Sequence, residues 1–393
     1  MEKTPLSMRK HVAIFGKTNA GKSTLFNALL GQSVSIVSDI SGTTTDPVTK
    51  AAELIPYGPI ALIDTAGLGD LTALGGVRTE KTKKILERAD LVLCTADITS
   101  DEEPEFDTGK IPKILVYTKC DLADEAMLKK ARSANPNAVF ISEHTESGLA
   151  ELKKRMIAEL EKQERDDETL LGGLVPEGSH IVMVVPIDSA APKGRLILPQ
   201  VQAIRDCLDN GMCAHVTTVE TLEKMLSELS RVDLVVTDSQ AFAEVSKIVP
   251  ESIPLTSFSM LLANQKSRIG QLIEGTRAIP ALSDGDEVLF LEACTHSTTH
   301  EDIGRVKIPK LLCAKTGKKL NFTYCTGYDF PAELGKYKLA IHCGGCMINK
   351  REILTRLEKL AEAGVPVTNY GVILAYLTGI LDRTAQIFVK TDK

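Results

Sequence analysis

The sequence predicts an α/β protein in three parts: an N-terminal doubly wound parallel sheet, a smaller middle α/β domain and a C-terminal α/β domain. Three observations carry that expectation. Short, strongly apolar runs alternate with helical patterns along the chain, which is the signature of strand–helix–strand units. A glycine-rich motif sits between the first such strand and the first helix, and cysteines follow several late strands.

At 393 residues the chain is long enough for two to three domains of about 150 residues each. Forty-three per cent hydrophobic against 25% charged residues is the balance of a folded rather than a disordered chain. No apolar run reaches the ~18 residues of a membrane span. The nearest, Val372 to Ile380, is broken by Tyr376 and Thr378 and followed by Asp382 and Arg383. Met1 to Lys10 lacks a signal-peptide core, so a cytoplasmic location is expected. With 46 basic and 52 acidic residues the net charge is −6, which disfavours nucleic acid as a partner. Nine cysteines in a cytoplasmic chain point to metal ligands or buried thiols before disulfides.

Taken in order, Val12-Ala13-Ile14-Phe15, Ile60-Ala61-Leu62-Ile63, Leu91-Val92-Leu93-Cys94, Ile114-Leu115-Val116-Tyr117 and Ala138-Val139-Phe140-Ile141 read as buried strands. Ser23 to Leu30 and Glu80 to Arg88 read as helices between them, giving a first domain over 8–168. Gly172-Gly173, Pro176 and Gly178 mark a linker. In the middle domain, 178–266, Ile181 to Val185, Ala214 to Thr217 and Val232 to Val236 are strands, and Thr217-x-x-Glu220 opens a helix over Leu222 to Leu229. Leu255 to Ala263 fits core packing better than an oligomer face. In the C-terminal domain, 275–393, strands at Val288 to Glu292, Leu320 to Tyr324 and Lys338 to Ile341 run into Cys294, Cys325 and Cys343. Asn349 and Glu352 open a helix with apolar face Ile353, Leu357, Leu360 and Ala361, stopped by Gly364 and Pro366. No internal repeat stands out.

Gly16-Lys17-Thr18-Asn19-Ala20-Gly21-Lys22-Ser23 is a phosphate-binding loop in its required strand-to-helix context. Backbone N–H groups from Gly16 to Thr24 cradle phosphates, Lys22 adds a point charge, and Ser23 supplies a hydroxyl for magnesium. Asp64-Thr65-Ala66-Gly67 at a strand end adds a carboxylate for the magnesium and the Gly67 N–H for a γ-phosphate. Thr118-Lys119-Cys120-Asp121 resembles the guanine-reading Asn-Lys-x-Asp motif, with Thr in place of Asn. Asp121 is the discriminating group, since two carboxylate oxygens accept from guanine N1 and N2 hydrogens and adenine offers no such pair. Ser142 fits the last guanine-loop motif weakly. Gly42-Thr43-Thr44-Thr45-Asp46, between the first helix and the Asp64 strand, resembles the Gly-Thr-Thr-x-Asp pattern of the TrmE/Era-like GTPases, which implies that Thr44 joins the magnesium in the GTP state. Leu68 stands where a water-orienting Gln is found in Ras-like proteins, so hydrolysis is expected to be slow or to use another positioning device.

These motifs resemble the TrmE/Era-like GTPases. The resemblance implies that Asn19 holds a potassium ion in place of an arginine finger.

Cys294-x-His296 and, farther on, His342-Cys343-x-x-Cys346 form a second constellation. Two thiolates at that spacing reach one centre, and Cys294 at a neighbouring strand end supplies a third. Spacing leaves zinc, an iron–sulfur cluster, a redox pair and buried thiols open, and ligand chemistry alone leans to zinc.

The GTPase motifs, the middle α/β domain and this Cys/His pattern together resemble the HydF family of [FeFe]-hydrogenase maturation GTPases. That resemblance implies a [4Fe-4S] cluster on Cys294, Cys343 and Cys346, with a labile fourth position for His296, His342, Glu301, Asp302 or an outside ligand. It further implies a homodimer joined through the middle domain, and a scaffold that carries a diiron subcluster precursor. Its partners would be the radical-SAM maturases HydE and HydG and the apo-[FeFe]-hydrogenase. Cys313 and Cys325 read as structural. A TrmE/Era-like GTPase acting on tRNA or ribosome, with a structural zinc, is the alternative reading.

Overall fold

A computed structural model describes residues 4–31, 48–65, 80–100, 107–142, 148–163, 169–187, 194, 196–293, 303–327 and 329–388. The chain divides into two compact units, Met1–Asp166 and Asp167–Lys393. Thr44, Gly67, Leu68, Cys294, His296, Glu301 and Asp302 lie outside the described residues.

The first unit is built on β1 (Lys10–Gly16), β2 (Val48–Leu54), β3 (Gly58–Asp64), β4 (Leu91–Asp97), β5 (Lys113–Thr118) and β6 (Val139–Phe140), in the order β2-β3-β1-β4-β5-β6. Every neighbouring pair is parallel except β2 and β3. Val12, Ala13, Ile14, Leu91, Val92 and Leu93 are fully buried because both faces of the sheet are covered, which explains continuous apolar runs instead of alternation. One face packs on α1 (Lys22–Gly31) and α4 (Leu149–Glu161) through Leu25, Leu29, Leu152 and Met156. The other packs on α2 (Glu80–Arg88) through Ile85 and Leu86, while α3 (Glu125–Ala134) starts at its Asp124 cap, whose carboxylate accepts from Met127 N–H (2.7 Å). The expected strands are all present. β2 was not expected: an edge strand reading Val-Thr-Lys-Ala-Ala-Glu-Leu is only partly buried, and its periodicity is correspondingly weak.

The second unit holds two four-stranded parallel sheets with one topology. The first comprises β7 (His180–Val184), β8 (Cys213–Thr217), β9 (Leu234–Thr237) and β10 (Leu255–Ser257), ordered β10-β9-β7-β8. The second comprises β11 (Glu287–Glu292), β12 (Asn321–Thr326), β13 (Tyr337–His342) and β14 (Val367–Asn369), ordered β12-β11-β13-β14. Both sheets therefore place their own first strand between the second and third. The registers coincide as well: Val184, Thr237 and Ser257 align across the first sheet as Leu291, His342 and Asn369 do across the second.

The helices follow the same plan in part, since a helix joins the second and third strands of the first sheet and, among the described residues, no helix joins β12 to β13. In the first half α5 (Leu198–Asp209), α6 (Val219–Glu228) and α7 (Phe242–Ile248) link the strands, and α8 (Phe258–Lys266) follows the fourth. After α9 (Ile269–Gly275), α10 (Ile308–Thr316) and α11 (Lys350–Glu362) serve the second half, α12 (Tyr370–Leu377) follows its fourth strand and α13 (Leu381–Ala385) ends the fold. Ser257 caps α8 by accepting from Met260 N–H (3.3 Å), and Asn369 caps α12 by accepting from Val372 N–H (2.9 Å). Pro254-Leu255-Thr256-Ser257-Phe258 and Pro366-Val367-Thr368-Asn369-Tyr370 are the matching segments. The two sheets thus repeat one strand order and register, with only this short echo between them in the sequence.

The two halves share one core, in which Phe242, Met260 and Ala263 pack with Phe290, Leu357 and Ile373. α8 lies against α12 where Gly371 faces Ser259, and a Cβ on Gly371 would sit 2.3 Å from Ser259 Oγ. Leu255 to Ala263 accordingly belongs to the core, as expected. Two local expectations change. The cap of α6 is Thr218, whose N–H reaches Thr221 Oγ1 (3.3 Å), one residue later than read, and Ala361 on α11 is exposed. Among the described residues no helix is long and apolar enough to cross a membrane.

Candidate functional site

The phosphate loop leaves β1 at its carboxyl end and enters α1. Asn19 (φ 64°) and Gly21 (φ 72°) both take left-handed backbone, which turns successive N–H groups to one side. Lys22 is 8% exposed and its Nζ donates to the carbonyls of Gly16 and Lys17, each at 2.7 Å. Ser23 Oγ donates to Asp64 Oδ2 at 3.2 Å, so the two expected magnesium ligands are adjacent, one hydroxyl and one carboxylate as the hard cation requires.

The base-reading corner follows β5. Thr118 Oγ1 lies within hydrogen-bonding distance of two carbonyls, Ala20 (3.1 Å) in the phosphate loop and Ala96 (3.2 Å) on β4. The Thr in place of Asn therefore ties the base corner to the phosphate loop with a short side chain. Gly21 accommodates it closely, since a Cβ there would stand 3.1 Å from the Thr118 side chain. Lys119 (φ 57°) reaches Asp97 Oδ2 at 2.7 Å, and Ser142 Oγ donates to Asp121 Oδ1 at 3.1 Å, orienting the carboxylate that was expected to discriminate guanine. Asn19, Gly21, Lys22, Ser23, Asp64, Thr118, Lys119, Asp121 and Ser142 come together at the carboxyl edge of one sheet. Thr44 and Gly67 lie outside the described residues.

The cysteine site occupies the carboxyl edge of the second half's sheet, between β11 and β13. The chain leaves β11 to one side for β12 and returns on the other for β13, and such a switch point is where open parallel sheets place ligands. Cys343 follows β13, and its Sγ accepts from Ala293 N–H (3.1 Å) and Gly345 N–H (3.4 Å). Ala293 is the residue immediately before Cys294. Burial pushes the Cys343 thiol up, opposed by those two N–H donors, and pushes Cys346 up against the opposing charge of Lys266. N–H groups aimed at a cysteine sulfur suit a metal-bound thiolate or cluster ligand.

His342, 3% exposed, ends β13. Its Nδ1 lies 2.7 Å from the Cys343 carbonyl, so Nδ1 carries the hydrogen and Nε2 holds the lone pair. Burial, with the Arg356 charge, lowers its pKa to about 4 and keeps the ring neutral. Lys266 was not expected at this site. It is 6% exposed, and its Nζ donates to the carbonyls of Gly345 (3.3 Å) and Ile348 (3.2 Å) in the cysteine loop. Cys325 lies within β12 in register with Leu291. Among the described residues no group of three His, Cys, Asp or Glu side chains is placed to hold a metal ion.

The phosphate loop, the Asp64 strand end and the Thr118–Asp121 corner define a P-loop GTPase domain. Residues 11–120 match the family model described as 50S ribosome-binding GTPase. Residues 170–267 match the hydrogen maturase F dimerization domain and residues 270–387 the hydrogen maturase F tetramerization domain. The chain belongs to the hydrogen maturase F (HydF) family, and its first unit carries a GTPase domain.

Curated relatives align over the GTPase domain. The tRNA modification GTPase MnmE of Bordetella parapertussis is 36% identical over 156 residues, 37% of this chain and 33% of that protein. MnmE of Mesoplasma florum is 40% identical over 136 residues, 33% of this chain and 30% of that protein. The chain spans about a third of the length of these relatives. Similar solved structures include Aquifex aeolicus Era bound to GDP·AlF4− (22% identity, TM-score 0.31, 54% of this chain and 94% of that one). The G domain of the T. maritima FeoB iron transporter is another (26% identity, TM-score 0.28, 38% and 98%).

Proposed function

We propose that this chain is a GTP-hydrolysing scaffold that holds a [4Fe-4S] cluster on Cys294, Cys343 and Cys346 and delivers a diiron subcluster precursor to apo-[FeFe]-hydrogenase. The observation that carries the reading is the contact between Cys343 Sγ and the backbone N–H of Ala293, which brings the Cys343-x-x-Cys346 loop to the residue preceding Cys294. When bound, the cluster supplies an iron with an exchangeable position to which the diiron cargo attaches. The neutral His342, with its lone pair on Nε2, is a ligand candidate for that position, alongside His296, Glu301 and Asp302.

In the GTPase domain, Lys22 offsets phosphate charge, Ser23, Thr44 and Asp64 hold magnesium, and Gly67 N–H meets the γ-phosphate. Asp121, steadied by Ser142, selects guanine. Asn19 holds potassium, so hydrolysis runs several-fold faster in KCl than in NaCl and Asn19→Ala removes the difference. The maturation partners are the HydE and HydG enzymes, the working assembly is a homo-oligomer built through the second unit, and the location is cytoplasmic.

Delivery is tested by incubating the protein, purified from cells that also express HydE and HydG, with apo-[FeFe]-hydrogenase and following hydrogen evolution. Activation that is lost with Cys343→Ser is expected. Equal activation by the Cys343→Ser protein would overturn the assignment.

A further inference from the structure

The cysteine loop Cys343 to Ile348 is pinned by a side chain from the other half of the repeat. Lys266 is the last residue of α8, which belongs to the first sheet, yet its Nζ donates to Gly345 O (3.3 Å) and Ile348 O (3.2 Å), on either side of Cys346. It is 6% exposed. Taking an ammonium out of water costs several kcal/mol unless an opposite charge answers it. Among the described residues no carboxylate forms an ion pair with Lys266, and the titratable groups that couple to it are the thiols of Cys346 and Cys343. Two carbonyls alone are a poor return for burying a full charge. Thiolates or a cluster on those cysteines supply the missing partner.

We propose that Lys266 is a positioning and charge-tuning residue of the cysteine site: it fixes the loop between Cys343 and Cys346 and stands as a buried positive charge beside the cluster. This rests on the reading of that site as a [4Fe-4S] centre. Two consequences follow from the placement. A cation beside a cluster favours the extra electron of the reduced form, so it raises the reduction potential. A lysine clamped to the loop carbonyls keeps the two thiolates converged, so it slows loss of iron. The site is also divided: the sulfurs come from the second half of the repeat and the counter-charge from the first.

The test reconstitutes the full-length protein and its Lys266→Met, Lys266→Gln and Lys266→Arg variants anaerobically, assays iron and sulfide, then titrates the dithionite-reduced EPR signal against potential. Absence of a cluster in the unmodified protein would refute the site assignment itself, before Lys266 is in question. With the cluster present, Lys266→Met and Lys266→Gln should shift the midpoint potential to more negative values and release iron to a chelator about ten-fold faster, while Lys266→Arg restores both. Gln keeps a hydrogen-bond donor and lacks the charge, so it isolates the electrostatic role and stands in if Met fails to fold. Unchanged potentials in the loaded Met and Gln proteins, or in Gln alone if Met does not fold, would overturn the proposal.

Discussion

Thr118 shows what a single departure from a familiar motif does. Its hydroxyl reaches the carbonyls of Ala20 and Ala96, joining the base corner, the phosphate loop and β4 at one buried atom. Thr118→Val keeps the shape and deprives both carbonyls of this donor, an expected loss of about 1–3 kcal/mol. Calorimetry should therefore show a lower melting temperature and weaker GDP binding, and Thr118→Asn should recover most of both; an unaltered Thr118→Val protein would contradict the role given to the hydroxyl. The motif was legible in the sequence because its residues are contiguous. Lys266 was not, because nothing at the end of an apolar helix signals that its ammonium will reach a cysteine loop about eighty residues on. Such contacts depend on tertiary placement, which local patterns do not encode.

Elements were readable where one face of a strand or helix had an unambiguous environment. The fully buried strands β1, β4 and β11 appear as apolar runs, whereas β2, β10 and β14 are edge strands or three residues long and gave no signal. α11 illustrates both outcomes. Asn349 caps it as expected, accepting from Glu352 N–H at 3.1 Å. Its inner face, however, contains Arg356, 2% exposed, which donates from Nε to Glu352 Oε1 at 2.9 Å and also reaches the Gly327 carbonyl. An apolar-periodicity count scores arginine as outward-facing and so misses a buried ion pair. Arg356→Met strands the Glu352 carboxylate and should cost about 3–5 kcal/mol, with a smaller loss in the Arg356→Met, Glu352→Gln double variant. Urea denaturation followed by circular dichroism measures both, and equal losses in the single and double variants would contradict the pairing.

At the scale of the whole molecule, three expected domains form two compact units, and the second repeats one strand order over a shared core. Its sequence echo is short, centred on Pro254 to Phe258 and Pro366 to Tyr370, while the likeness lies in strand order and register. A fragment covering 270–393 alone should expose the surfaces that Phe242, Met260 and Ala263 cover and bind a hydrophobic dye, whereas 167–393 should fold as a unit. A compact, dye-silent 270–393 fragment would show that the halves are independent. The central claim, a GTPase joined in one chain to a cluster scaffold, is tested most directly by iron and acid-labile sulfide analysis with EPR after dithionite reduction. The protein is purified anaerobically, reconstituted and compared with Cys343→Ser. About four irons and four sulfides per chain with a reduced-cluster signal, lost in the variant, is the predicted result; stoichiometric zinc with no iron uptake would contradict it.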